Sequence, residues 1–250
     1  MKKTDSAKQA NSILKKCFVG LVLFACFGTA LSTWMKVDAG FVAPLVTVLI
    51  ILCGASIAAI SIGDSKPVIG VLIICGGAEV VGLFTGFPFG HYEYTDRWWP
   101  TVALGEFHRF PLLIPFAWLL VLGGAYRLAR LRFGPWSAVL ASALIATIID
   151  IPMEQAMTNL FGYWKWVEVG PLFGAPVQNS VGWFTVSLIA GSLLAWKDKS
   201  TNDQLSIDVL TLFCMFVSFS GFVHGFNWAW VMLAALTLVI GYLHYRLTKV

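Results

Sequence analysis

The sequence predicts an all-α fold, a polytopic integral membrane helical bundle of about eight transmembrane helices, and three observations predict it. Of 250 residues, 58% are hydrophobic and 12% charged, with a mean hydropathy of +0.79, more apolar surface than a soluble domain needs. The apolar residues gather in eight runs, each near the length of about 17–25 residues that lets a helix cross a bilayer. Lysine and arginine alternate between dense and sparse from one connecting segment to the next, as they do on the two sides of a membrane.

Residues 1–16 form a polar, lysine-rich tail, and the apolar run from Cys17 makes them resemble the front of a secretory signal peptide. Seven further runs follow, so an uncleaved first span is the better reading. The chain divides into a cytoplasmic tail, 1–16, and a single transmembrane helical domain, 17–250. The runs lie near 17–34, 41–62, 67–85, 111–129, 136–157, 181–196, 207–223 and 228–246. With the N-terminus inside, inner segments hold Lys2, Lys3, Lys8, Lys15, Lys16, Lys66, Arg127, Arg130, Arg132, Lys197, Lys199, Arg246 and Lys249. Outer segments hold Lys36, Arg97, Arg109 and Lys165, which is 4 of the 17 cationic side chains. The asymmetry predicts a multi-pass cell-membrane protein with both termini cytoplasmic and its two longest loops on the opposite face.

The first of these loops, from Thr85 to Phe110, cannot be one helix, because Gly86, Pro88 and Gly90 interrupt it. It is rich in rings (His91, Tyr92, Tyr94, Trp98, Trp99) and carries Glu93, which suits either an interfacial aromatic belt or a functional loop. The second, from Asn159 to Ser180, repeats the style with Tyr163, Trp164, Trp166 and Trp183 just beyond it, among Gly162, Gly170, Pro171, Gly174 and Pro176. Aromatic faces attract cations, so rings from both loops suit a substrate that becomes a carbocation.

Absent motifs narrow the chemistry. The five cysteines sit in apolar runs without CxxC spacing, so neither a disulfide framework nor a zinc site is expected. No Walker A loop, dinucleotide fingerprint or HExxH occurs, and the four histidines lack paired ligand spacing. No lysine lies in mid-span to form a retinal Schiff base. No cofactor and no metal are expected, and the net charge of +4 is a topology signal rather than a mark of nucleic-acid binding.

Three acids do fall inside apolar runs: Glu79, Asp150 and Glu154. An ionised side chain there costs several kcal/mol unless paired, wetted or neutral. Glu79 lies about 12 residues into its run, roughly 18 Å, and Asp150 about 14 residues in, roughly 21 Å, which puts both beneath the two outer loops. Asp150 and Glu154, four apart, share a helix face. These carboxyls could share protons and act as acid and base, or they could be structural, bonded to Arg97, Arg109, His108 or a tryptophan indole.

The stretch from Glu79 to Trp183 resembles the carotenoid biosynthesis protein family, integral membrane proteins that include carotenoid hydratases of the bisanhydrobacterioruberin hydratase type. The resemblance rests on Thr85-Gly86-Phe87-Pro88-Phe89-Gly90-His91-Tyr92-Glu93-Tyr94 and on Pro111-Leu-Leu-Ile-Pro115-Phe-Ala-Trp118. It continues through Asp150 with Glu154, Gly162-Tyr163-Trp164-Lys165-Trp166, and Gly174-Ala-Pro176-Val-Gln178-Asn179 leading to Gly182-Trp183. There are departures: Asp96 to Pro100 stands as an insertion before Leu104-Gly105, Phe110-Pro111 replaces a Val-Pro, and Gln155 stands where a proline often follows the second acid. They bear on the substrate rather than on the family.

The resemblance implies a hydratase that adds water to the terminal double bond of a linear carotenoid or other isoprenoid without a redox cofactor. Asp150, Glu154 and Glu79 are then the acid and base candidates, and Tyr92, Tyr94, Trp164 and Trp166 the cation-stabilising wall. Phe87, Phe89, His91, Trp118, Asn179 and Trp183 join them as substrate-binding candidates. Implied partners are a lipophilic isoprenoid, the bilayer and other carotenoid-pathway membrane enzymes. Two alternatives stay open: a membrane isoprenoid cyclase, which would use the same acid and rings but exclude water, and a non-catalytic carotenoid-binding or transport protein.

Overall fold

The computed structural model describes residues 2–106, 108–196, 198 and 204–247, with the side chains of residues 2–10 left aside. The described residues form eight helices. These are α1 (Lys2–Met35), α2 (Val42–Ile62), α3 (Ser65–Thr85), α4 (Ile114–Arg130), α5 (Pro135–Gln155), α6 (Val177–Trp196), α7 (Leu205–His224) and α8 (Trp228–Leu247). Six of them are long and apolar enough to cross a membrane. The other two are α4, with 17 residues and two arginines in its last turn, and α6, whose first turn carries Gln178 and Asn179. The chain is an all-α polytopic membrane protein.

Helix ends follow local chemistry. Gly63 and Gly86 end α2 and α3 in the left-handed conformation (φ 74° and 72°), which glycine adopts without steric cost. Pro135 opens α5, where a missing amide hydrogen costs nothing. Further along, Pro152 lies inside α5, and the helix then widens into a π-helical turn, Ala156–Leu160. Such turns frequently mark functional sites.

Two expected boundaries shift. The apolar run read from 111 begins as a helix only at Ile114, because Pro111 ends a β-strand. The run read from 181 begins at Val177, because hydropathy alone discounts Gln178 and Asn179 although both are helical. α1 also extends back through the expected tail to Lys2. Lys197, Lys199 and Lys249 of the charge pattern lie outside the described residues.

α4 is the buried axis: every side chain from Trp118 to Ala129 is inside, as a helix apolar on all faces requires. Gly124 lets α7 approach, since a Cβ there would stand 2.7 Å from Leu210 Cβ. α3, α4, α5 and α6 pack as a ring in which each touches the next, while α1, α2, α7 and α8 wrap the outside of α4 and α5.

The loops cap this ring. β1 (Tyr92–Tyr94) from the α3–α4 connection pairs antiparallel with β4 (Trp164–Trp166) from the α5–α6 connection, placing Tyr92 opposite Trp166, Glu93 opposite Lys165 and Tyr94 opposite Trp164. Side chains alternate across a strand, so the Tyr-x-Tyr and Trp-x-Trp patterns turn four rings to one face, while Glu93 and Lys165 are exposed on the other. A hairpin of β2 (Thr101–Leu104) and β3 (His108–Pro111) lies beside them, and the stretch Asp96 to Pro100 read as an insertion forms the turn and bend that lead into it.

Candidate active site

Four helices bring the candidate acids beneath the four rings. Glu79 comes from α3, Trp118 from α4, Asp150 and Glu154 from α5, and Asn179 from α6. All three acids are buried, with 5%, 4% and 2% of Glu79, Asp150 and Glu154 exposed. Burial at this level forces every carboxyl oxygen to find a donor.

Glu79 is held by three neutral donors. Trp118 Nε1 donates to Oε1 at 2.8 Å, and the hydroxyls of Tyr92 and Tyr94 both donate to Oε2, at 2.6 and 2.8 Å. Burial, and then the neighbouring Glu79 carboxyl, push the Tyr92 and Tyr94 phenols above their ordinary range, so both remain donors. Gly82, one turn beyond Glu79, makes room for this arrangement: a Cβ there would lie 2.9 Å from the Tyr92 hydroxyl and 3.0 Å from the Phe89 ring.

Glu154 is also held by three neutral donors. Trp166 and Trp164 Nε1 donate to Oε2 at 3.0 and 3.2 Å, and Asn179 Nδ2 donates to Oε1 at 3.1 Å. The same amide nitrogen donates to Asp150 Oδ2 at 2.9 Å, tying the two carboxyls of α5 to a single group on α6. Among the described residues, no arginine, lysine or histidine pairs with any of the three acids. The structural alternative weighed from the sequence is therefore met in one part: the indoles bond to these carboxyls, while Arg97, Arg109 and His108 do not.

Between the carboxyls lies a cavity of about 30 Å³ lined by Glu79, Glu154, Asn179, Ile114, Phe89, Trp183 and the four rings of β1 and β4. This is room for about one water molecule with polar partners on several sides. Trp183 of this lining stacks on Trp118, with centroids 3.7 Å apart.

The expected residues thus divide. Glu79, Glu154, Phe89, Tyr92, Tyr94, Trp164, Trp166, Asn179 and Trp183 line the cavity, and Trp118 holds Glu79 from below. Asp150 does not line it and reaches it only through Asn179. Phe87 is 68% exposed and His91 is exposed at the surface, so neither faces the acids. Sequence reasoning did not find Ile114, an apolar residue with no distinguishing pattern. Nor did it find that Asn179 grips the acid pair, although a polar residue opening an apolar run is the signal that could have shown it.

Chemically the arrangement brings buried carboxyl groups, a water-sized space and aromatic rings together in one site. Among the described residues, no group of three His, Cys, Asp or Glu side chains could hold a metal ion.

A family described as carotenoid biosynthesis protein matches residues 42–244. One curated relative is the bisanhydrobacterioruberin hydratase of Haloarcula japonica, 29% identical over 122 residues, which are 47% of this chain and 38% of that protein's length. No solved structure is detectably similar.

Proposed function

The chain belongs to the carotenoid biosynthesis protein family, and from that membership we propose that it is a cofactor-independent hydratase that adds water to the terminal double bond of a linear carotenoid or related isoprenoid. The observation that carries this reading is the water-sized cavity between Glu79 and Glu154. A cyclase would exclude water there, and a passive carrier would not need two carboxyls facing one space.

Glu154 is the proton donor. It and Asp150 share one amide nitrogen inside an apolar bundle, where two charges so close cannot both be held, so the pair keeps one proton between them. That proton goes to the inner, singly substituted alkene carbon, leaving a tertiary carbocation at the outer, dimethyl-bearing carbon beside Tyr92, Tyr94, Trp164 and Trp166. Water in the cavity attacks the cation through oxygen, and Glu79 takes the proton that the water loses. The net change is addition of one water; the proton returns from Glu79 to the α5 pair through water refilling the cavity. Asp150 and Asn179 position Glu154 rather than touch the substrate.

The chain lies in the cell membrane with both termini cytoplasmic, as the positive-inside asymmetry supports. The test is to co-express it with linear carotenoids and weigh the products: a gain equal to one water supports the hydratase, an isomer of unchanged mass the cyclase, and unchanged substrate the carrier.

A further inference from the structure

A second and much larger space lies on the same loop side, between α1, α2 and α7. It measures about 1000 Å³, within the range of ligand sites, and polar groups line it on more than one side. On α1, Thr29, Ser32 and Thr33 line it, at a spacing that puts them on a single helix face, and Lys36 follows just past the end of the helix. Phe27 and Leu31, which do not line it, are 66% and 38% exposed. Opposite stand Thr47 and Tyr163, hydroxyl to hydroxyl at 3.1 Å, and His224, whose Nε2 is 3.3 Å from Thr33 Oγ1. The hydroxyls of Ser32, Thr33, Thr47 and Tyr163 make local bonds yet keep further capacity to accept. Two cations, Lys36 and Arg97, and two acids, Asp38 and Asp96, also line it, so its charge balances and gives no preference for an anion such as phosphate, while the hydroxyls between apolar spans can satisfy an alcohol.

The groove adjoins the acid site through one partition. Tyr163 lines the groove and the next residue, Trp164, lines the cavity; Trp98 stacks on both, with centroids 5.0 and 5.6 Å apart. Trp98 itself is 4% exposed, and its indole Nε1 has no hydrogen-bond partner. Trp98 lines neither space, so it marks where the partition is packed and is not a group that a ligand meets.

We propose that this groove binds the hydroxylated end of a linear isoprenoid, the product of the acid site or the already hydrated end of a longer substrate. The identification of the ligand rests on the hydratase reading, so the test measures binding without turnover. Protein carrying Glu154→Gln is placed in bilayer discs, and binding of a radiolabelled linear isoprenoid tertiary alcohol is compared with that of the corresponding alkene. The alcohol should bind at least about tenfold more tightly, as expected for one or two hydrogen bonds made away from water. Gly28→Leu should abolish that preference by filling the groove, since a side chain placed there meets no atom within 4 Å. Thr33→Val, which keeps the volume, should weaken the alcohol about fivefold, a readout that holds even if the glycine variant folds poorly. Equal affinity for alkene and alcohol, unchanged alcohol binding in Thr33→Val, or displacement of the alcohol by anionic phospholipid in the discs would each overturn the proposal. If the alcohol binds as described while the wild-type product is a cyclised isomer, the groove stands and the hydratase reading falls.

Discussion

Buried carboxyl groups occur at both ends of this bundle, and they are compensated in opposite ways. At the end away from the loops, Asp198 has a side chain only 1% exposed, and it meets Arg127 at 3.3 Å, Arg130 and the Tyr126 hydroxyl at 3.2 Å. Arg127 in turn donates to Ser61 on α2, so the cluster ties the segment after α6 to α4 and α2. One acid faces two guanidiniums. At the loop end, three acids face only indoles, phenols and one amide. A carboxyl matched by cations has its charge fixed and its place in the fold explained; carboxyls held by neutral donors alone stay able to gain or lose a proton. In the proposed hydratase, the difference separates a structural cluster from a catalytic one.

The sharpest break in that comparison is to neutralise each kind of acid. Glu154→Gln and Glu79→Gln keep size and one accepting oxygen, and each should lower turnover by about 10² to 10⁴, the range of general acid or base catalysis, while the amide nitrogen set against a donor makes thermal unfolding only modestly earlier. Asp198→Asn should do the reverse, because it leaves two guanidiniums uncompensated. We expect a loss of roughly 3 kcal/mol of stability, seen as an earlier thermal transition, with near-normal turnover by the protein that stays folded.

Smaller effects sharpen the loop end internally. Asn179→Ala frees both α5 carboxyls from their shared donor and should cost about tenfold in turnover, and Asp150→Asn should cost less than Glu154→Gln because Asp150 does not line the cavity. Tyr92→Phe removes one of three donors to Glu79 and should cost about fivefold, since Tyr94 and Trp118 remain. The smallest expected effect is none: turnover in purified membranes should survive a strong chelator and need no added nucleotide. Activity lost on chelation and restored by one metal would defeat the proposed chemistry.

Much of this was legible in the sequence for definite reasons. Apolar length and charge asymmetry are properties of the chain itself, so seven of the eight helices begin within a few residues of their runs, while α1 continues back to Lys2 through a polar segment that apolar length does not reveal. The acid site was legible because an acid in an apolar run is costly and therefore conspicuous. Tyr-x-Tyr and Trp-x-Trp hinted at strands, but their pairing across about 70 residues is a long-range fact that no local pattern carries. The ranking of the acids was not legible either. Asp150 and Glu154 look equivalent at four-residue spacing, and only the position of Asn179 on a different helix shows that one faces the cavity and the other stands behind it. Phe87 and His91 were drawn in by their neighbours in a motif, yet strand alternation and the turn at Gly86 leave them at the surface.

The central claim is that water in the Glu79–Glu154 cavity adds to an isoprenoid double bond after protonation by the neighbouring acid. Purified protein in bilayers is given a linear carotenoid in deuterium oxide enriched in heavy oxygen, and the product is analysed by mass and by the position of the label. The account predicts one non-exchangeable deuterium on the carbon next to a tertiary carbon bearing a heavy-oxygen hydroxyl, with neither label incorporated by Glu154→Gln. A product that takes up no heavy oxygen, or full labelling by Glu154→Gln and Glu79→Gln alike, would contradict it.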